Sequence, residues 1–109
     1  MCPIWSTKID SILSVGFSAT HLGINNWVLD REKAIWAITQ LENLKIPVLG
    51  GDVFEIEDGK MYQNYDSWYC DPKDDENEIH FVKRSAIESR AYVFKYPKKQ
   101  VGFAIVPKI

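Results

Sequence analysis

The dipeptide Asp58-Gly59 stands between two runs in which apolar and polar residues alternate, and nothing else in the chain limits the fold as tightly. Both central residues of a two-residue hairpin turn need φ > 0, a requirement that Asp-Gly meets at low cost. Such a turn pairs Glu57 with Lys60, Ile56 with Met61, Glu55 with Tyr62 and Phe54 with Gln63. Side chains alternate across a strand. Phe54, Ile56, Met61 and Tyr65 therefore share one face, expected on the core, while Val53, Glu55, Glu57, Lys60, Tyr62 and Asn64 share the other, expected in water. A one-residue slip would bury two glutamates, so the register is well specified. Upstream, Ile46-Pro47-Val48-Leu49 reads as a short strand that Gly50-Gly51 joins to the hairpin (53–64) through a bulge or sharp bend. A phosphate cradle would need more glycines and a helix directly after them.

Helical periodicity accounts for most of the remainder. Trp5, Ile9, Ile12, Leu13 and Gly16 fall on one stripe, which predicts a helix over 6–15 with Ser6 as N-cap and Gly16 as its stop. Phe17 to Leu22 predicts one further turn ended by Gly23, and Ile24 to Leu29 an extended loop with Trp27 packed inward. Asp30 caps a second helix over 30–44, whose buried stripe is Ala34, Ile35, Ala37, Ile38, Leu41 and Leu44. Trp36 lies opposite that stripe, beside Glu32, Gln40 and Asn43, where it is either covered by a loop or free to anchor a partner. A third helix is expected over 76–96, with Asp75 as its cap, Pro97 as its stop and Ile87 and Phe94 half-buried. The acidic loop from Lys73 to Asn77 reads as a mobile, solvated linker. The continuous apolar run 101–106 predicts a central strand beside 46–49. The order α-α-β-β-α-β gives an α+β class: a small, mainly antiparallel sheet covered by three helices, in one domain over 1–109.

Composition is that of an ordinary globule, and no apolar run approaches the roughly 20 residues that a membrane span requires. Nothing at the start resembles a secretory signal, so the chain is expected to work in the cytoplasm. Cys2 and Cys70 are then expected as thiols, with a single disulfide left open. The net charge of −2 hides an asymmetry. Residues 1–51 are neutral, residues 52–78 carry ten acidic and two basic side chains, and residues 79–109 carry seven basic and one acidic. A split of this kind shapes fields and partner choice rather than fold.

No catalytic set emerges. His21 and His80 have no neighbouring triad partners in sequence, and the weakest option is an enzyme built around Asp52 and His21. Cysteine spacing is wrong for structural zinc, and Asp71, Asp74, Asp75 and Glu76 lack the spacing of a calcium loop, so neither metal nor cofactor is expected. The basic final third (Lys83, Arg84, Arg90, Lys95, Lys98 and Lys99) supports an alternative reading as a small nucleic-acid-binding protein. Overall negative charge and the lack of a nucleic-acid motif argue against it. Carboxylates interleaved with aromatics favour a protein partner instead. Tyr62, Trp68 and Tyr69 would supply contact area, with Trp68 better placed in the core, and Glu55, Glu57, Asp66, Asp71, Asp74 and Asp75 would steer a basic partner. The candidate contact residues are thus Trp36, Glu55, Glu57, Tyr62, Asp66, Tyr69, Asp71, Asp74 and Asp75.

Four blocks carry a family likeness: Gly23-Ile24-Asn25-Asn26-Trp27, Asp30-Arg31-Glu32, Ile46-Pro47-Val48-Leu49-Gly50-Gly51-Asp52-Val53 and Tyr65-Asp66-Ser67-Trp68-Tyr69-Cys70-Asp71. Together they resemble the immunity protein 40 family of bacterial polymorphic toxin systems, which act in the manner of contact-dependent growth inhibition. The likeness runs from about Ile9 to Pro97. It implies a small α+β antitoxin, made beside a secreted toxin, that binds the toxin domain, nucleases among the candidates, and protects the producing cell. It brings no enzymatic motif and no established interface.

Overall fold

The computed structural model describes residues 3–109, so whether Cys2 pairs with Cys70 lies outside the described residues. Helix α1 (Thr7–Leu13) begins where the Ser6 hydroxyl accepts the Ile9 amide at 3.1 Å. Two short strands, β1 (Phe17–Ser18) and β2 (Trp27–Val28), flank a 3₁₀ turn (Thr20–Leu22) that ends at Gly23. Helix α2 (Arg31–Asn43) starts on Asp30, whose carboxylate accepts the Lys33 amide at 2.8 Å. Strands β3 (Val48–Glu57) and β4 (Lys60–Tyr69) follow, then α3 (Glu78–Lys95) and β5 (Val101–Pro107). The class is α+β, with antiparallel sheets of two and three strands. The described residues contain no helix long and apolar enough to cross a membrane.

The hairpin register is as the turn chemistry dictates. Glu57, Ile56, Glu55 and Phe54 face Lys60, Met61, Tyr62 and Gln63, and Asp58 and Gly59 both have positive φ, 52° and 77°. Other expectations need correction. The hairpin extends well past 53–64, because β3 continues through Gly50-Gly51, and the bulge expected there is a register shift against β5 between Val48 and Gly50. The centre of the sheet is β3, in the order β4-β3-β5. β5 therefore lies at one end, met on its outer edge by Leu29, which exchanges backbone hydrogen bonds with Phe103 at 2.9 and 2.7 Å. The cap of α3 is Asn77 rather than Asp75, and it accepts the His80 amide at 2.8 Å.

The sheet is buried on both faces: a smaller cluster lies on the expected one, around Phe54 with Met61 against it, and the larger core lies on the face expected in water. Val53, expected in water, is fully buried with Phe103, Ile105, Val101 and Trp68 under α2 and α3. Phe54 is buried on the other face with Ala19, Val28 and Ala104, beneath the segment that carries β1 and β2. Strict alternation then fails further along β4. Between the pairs Asp52–Ser67 and Phe54–Gln63, β4 places Asn64, Tyr65 and Asp66 opposite the single residue Val53. The two extra residues are accommodated by a left-handed backbone at Tyr65 (φ 68°), and the Asn64 side chain accepts the Asp66 amide at 3.0 Å. Tyr65, expected in the core, is 87% exposed.

Trp68 ties sheet to helix. Its indole donates to Ser89 at 2.9 Å, stacks on Tyr92 with centroids 4.8 Å apart and meets Phe103 edge-on. It lies so close to the β3 backbone that a Cβ on Gly51 would stand 2.3 Å from the ring. Helices α2 and α3 are joined by Arg90 and Glu42 at 2.7 Å and by Arg31. The Arg31 guanidinium donates to the carbonyls of Val93, Phe94 and Tyr96 at 2.8, 3.0 and 2.9 Å, and to that of Lys98. It thereby satisfies the unpaired carbonyl end of α3. Ile87 and Phe94, expected half-buried, are exposed on the outward side of α3, as is Ile79.

Candidate partner-binding surface

The acidic segment is divided by the fold rather than gathered. β-pairing sets Tyr62 beside Glu55 on the helix-side face of the sheet, whereas Tyr69 opposes Gly50 on the other face, the two extra β4 residues having left this parity unchanged. Glu55 is engaged: Lys98 lies 2.9 Å away and Asn64 donates at 3.3 Å. Lys98 foremost holds the Glu55 carboxyl below its ordinary range. Glu57 is exposed and accepts from the Tyr62 hydroxyl at 3.2 Å. Asp66 accepts from the Tyr96 hydroxyl, which also meets Asn64 at 2.8 Å. Asp71, Asp74 and Asp75 are exposed on the loop before α3, and Trp36 is 43% exposed on the outward side of α2. The expected contact residues are thus separated: Glu55, Glu57 and Tyr62 at the hairpin end, Asp66 beside Tyr96 at the end of α3, Tyr69 on the other face of the sheet, the loop acids before α3 and Trp36 on the helix layer.

The loop from Lys73 to Asn77, expected to be a mobile linker, is tied down by Glu76. Its side chain, 3% exposed, takes a two-pronged contact from Arg84 at 2.7 and 2.8 Å, the Lys73 amide at 3.2 Å and His80 Nδ1 at 3.0 Å. Arg84 also reaches Glu88 at 3.0 Å and the Asp71 carbonyl at 2.6 Å, and its guanidinium stands 5.3 Å from the centre of the Phe81 ring. Arg84 foremost pulls the Glu76 pKa from 4.5 to about 2. A carboxylate with a depressed folded-state pKa stabilises the fold above its unfolded value, and that stabilisation is lost as pH falls through the folded value. In urea titrations, Glu76→Gln is therefore expected to be less stable than the wild type at pH 7, with the gap closing between about pH 4.5 and 2. A gap independent of pH would show that another group governs this window.

Ion pairing also decides the charge balance. Of the seven cations in 79–109, Arg84, Arg90, Lys98 and Lys108 are paired with Glu76 and Glu88, Glu42, Glu55 and Glu78. Of the ten carboxylates in 52–78, Glu55, Glu76 and Glu78 are paired in this way. Among the described residues the other seven have no ion pair, and they run from Asp52 and the hairpin tip (Glu57, Asp58) through Asp66 to the loop acids Asp71, Asp74 and Asp75. His21 and Asp52 line separate hollows, one between the 3₁₀ turn and the hairpin tip and one at the other end of β3, so the enzyme option has no geometry behind it. Among the described residues no three His, Cys, Asp or Glu side chains converge as a metal site.

The profile of the Immunity protein 40 family matches residues 18–107, nearly the whole chain from β1 to the end of β5. This chain belongs to the immunity protein 40 family. No curated protein and no solved structure matches it. Within the matched span of this immunity protein 40 chain lie the Gly50-Gly51-Asp52 bend against Trp68, the Glu76–Arg84 clamp and the unpaired carboxylates. The exposure of Tyr65 and the lone carboxylate of Asp52 were not expected from the sequence. The signal for Tyr65 is Asn64-Tyr65-Asp66, a polar turn set inside a strand. For Asp52 it is a carboxylate placed directly after two glycines.

Proposed function

We propose that this chain is a non-catalytic antitoxin that acts in the cytoplasm, binding the toxin domain encoded beside it and neutralising it by occupation. The partner surface is the acidic and aromatic flank along β4 and the loop before α3, with Tyr65, Tyr69, Asp66, Asp71, Asp74 and Asp75. The toxin domain it suits is a basic one, as a nuclease that grips phosphates is. The carrying observation is the asymmetry of ion pairing: most cations of the final third are engaged within the molecule, while seven of the ten carboxylates in 52–78, Asp66, Asp71, Asp74 and Asp75 of the flank among them, are not. That same asymmetry weakens the nucleic-acid alternative, whose basic surface is largely neutralised. Co-expression tests the proposal. The product of the neighbouring upstream open reading frame is expected to arrest growth alone and to be silenced by this chain. A harmless product, or one still toxic beside it, would overturn the reading.

A further inference from the structure

The uncovered part of the sheet's second face holds a hollow that the proposed function does not account for. Gly50 pairs with Tyr69 on one side and Val106 on the other, and in the next row of this face Asp52 pairs with Ser67 and Ala104. Between Tyr69 and Val106 a recess of about 160 Å³ opens, with Gly50 and Asp52 in its lining. Diagonal neighbours on one face of paired strands lie about 7–8 Å apart, a span that long side chains bridge. Tyr69 and Asp52 are such a pair, a bare ring and a carboxylate flanking one hollow. Among the described residues no cation or donor meets the Asp52 carboxylate, and burial alone pushes its pKa up. A half-buried carboxylate left without a partner is costly unless something arrives to pair with it. A ring face within about 6 Å attracts a cation that the carboxylate also holds.

We infer that this recess is the specificity pocket for the toxin domain, receiving one arginine or lysine side chain whose charge lies between the Tyr69 ring and the Asp52 carboxylate. The inference rests on the proposed function and names the position where the partner's positive charge is read. Leu49 and Val106 complete the lining along which the aliphatic stem lies.

The test is titration calorimetry of the purified toxin domain, the product of the adjacent upstream gene, against the wild type and the variants Asp52→Asn, Tyr69→Ala and Tyr69→Phe. Tyr69 is exposed and Asp52 half-buried, so thermal melts of these variants should stay near the wild type and show that they are folded. Asp52→Asn and Tyr69→Ala should each weaken binding at least tenfold, and Tyr69→Phe, which keeps the ring, less than threefold. The double variant Asp52→Asn/Tyr69→Ala should lose less than the product of the single losses, because both groups hold one cation. Tight binding by all variants would overturn the pocket and leave the antitoxin reading intact. Absence of binding by the wild type would overturn both.

Discussion

Gly50→Ala is expected to destabilise the protein by about 3 kcal/mol or more, lowering the melting temperature by roughly 12 °C. A Cβ at this position would stand 2.1 Å from the carbonyl oxygen of Trp68, and φ at Gly50 is +148°, a backbone region that side chains rarely enter. The obstructing atom is backbone held in the β3–β4 ladder, so it yields only if the ladder opens. Trp68 would then shift away from Ser89 and Tyr92, and the damage would spread into the core. Gly59→Ala is the matched comparison. Its φ is +77°, yet nothing lies within 4 Å of the added carbon, so the cost should be only about 1 kcal/mol of backbone strain. Urea denaturation of both variants checks the contrast. Equal losses would mean that the close approach of β4 to Gly50 contributes little.

Arg31→Ala should cost about 2–3 kcal/mol, a large effect for a side chain outside the core. Four carbonyls at the end of α3 share this one guanidinium, which also lies 6.0 Å from the centre of the Phe103 ring. Removing it leaves the carbonyl end of the helix dipole without its positive charge. Arg31→Lys should recover only part of the loss, since an ammonium cannot span four acceptors as a planar fork does. Amide exchange in the last turn of α3 should quicken in both variants, more in the alanine. A change under about 0.5 kcal/mol in Arg31→Ala would show that water replaces the clamp without loss.

Local chemistry was legible in the sequence and long-range partnership was not. Asp58-Gly59 dictated four cross-strand pairs because turn geometry acts over a few residues. Ser6 and Asp30 announced their helices for the same reason. Burial of the sheet face expected in water went unforeseen because Glu55 looks solvated until Lys98, forty-three residues later, arrives beside it. Tyr65 went astray because Asn64-Tyr65-Asp66 breaks the two-residue period without a glycine to mark it. As an acid, Asp75 suits a helix start, whereas the helix begins at Glu78, directly after Asn77. Of the surface, the excess of negative charge was visible from composition. Which carboxylates lack a counterion depends on contacts between distant elements, and Arg84, Arg90 and Lys98 gave no sign that each would meet one.

The detour that Tyr65 makes in β4 affects how copies of the molecule behave toward one another. β4 is the outer strand of its sheet, and a straight outer strand would offer its backbone amides and carbonyls as a template for an identical neighbour. The three-against-one step interrupts that template near its middle, and Asn64 occupies one of the amides that a docking copy would need. The rim is thus too irregular for identical copies to seed filaments along it.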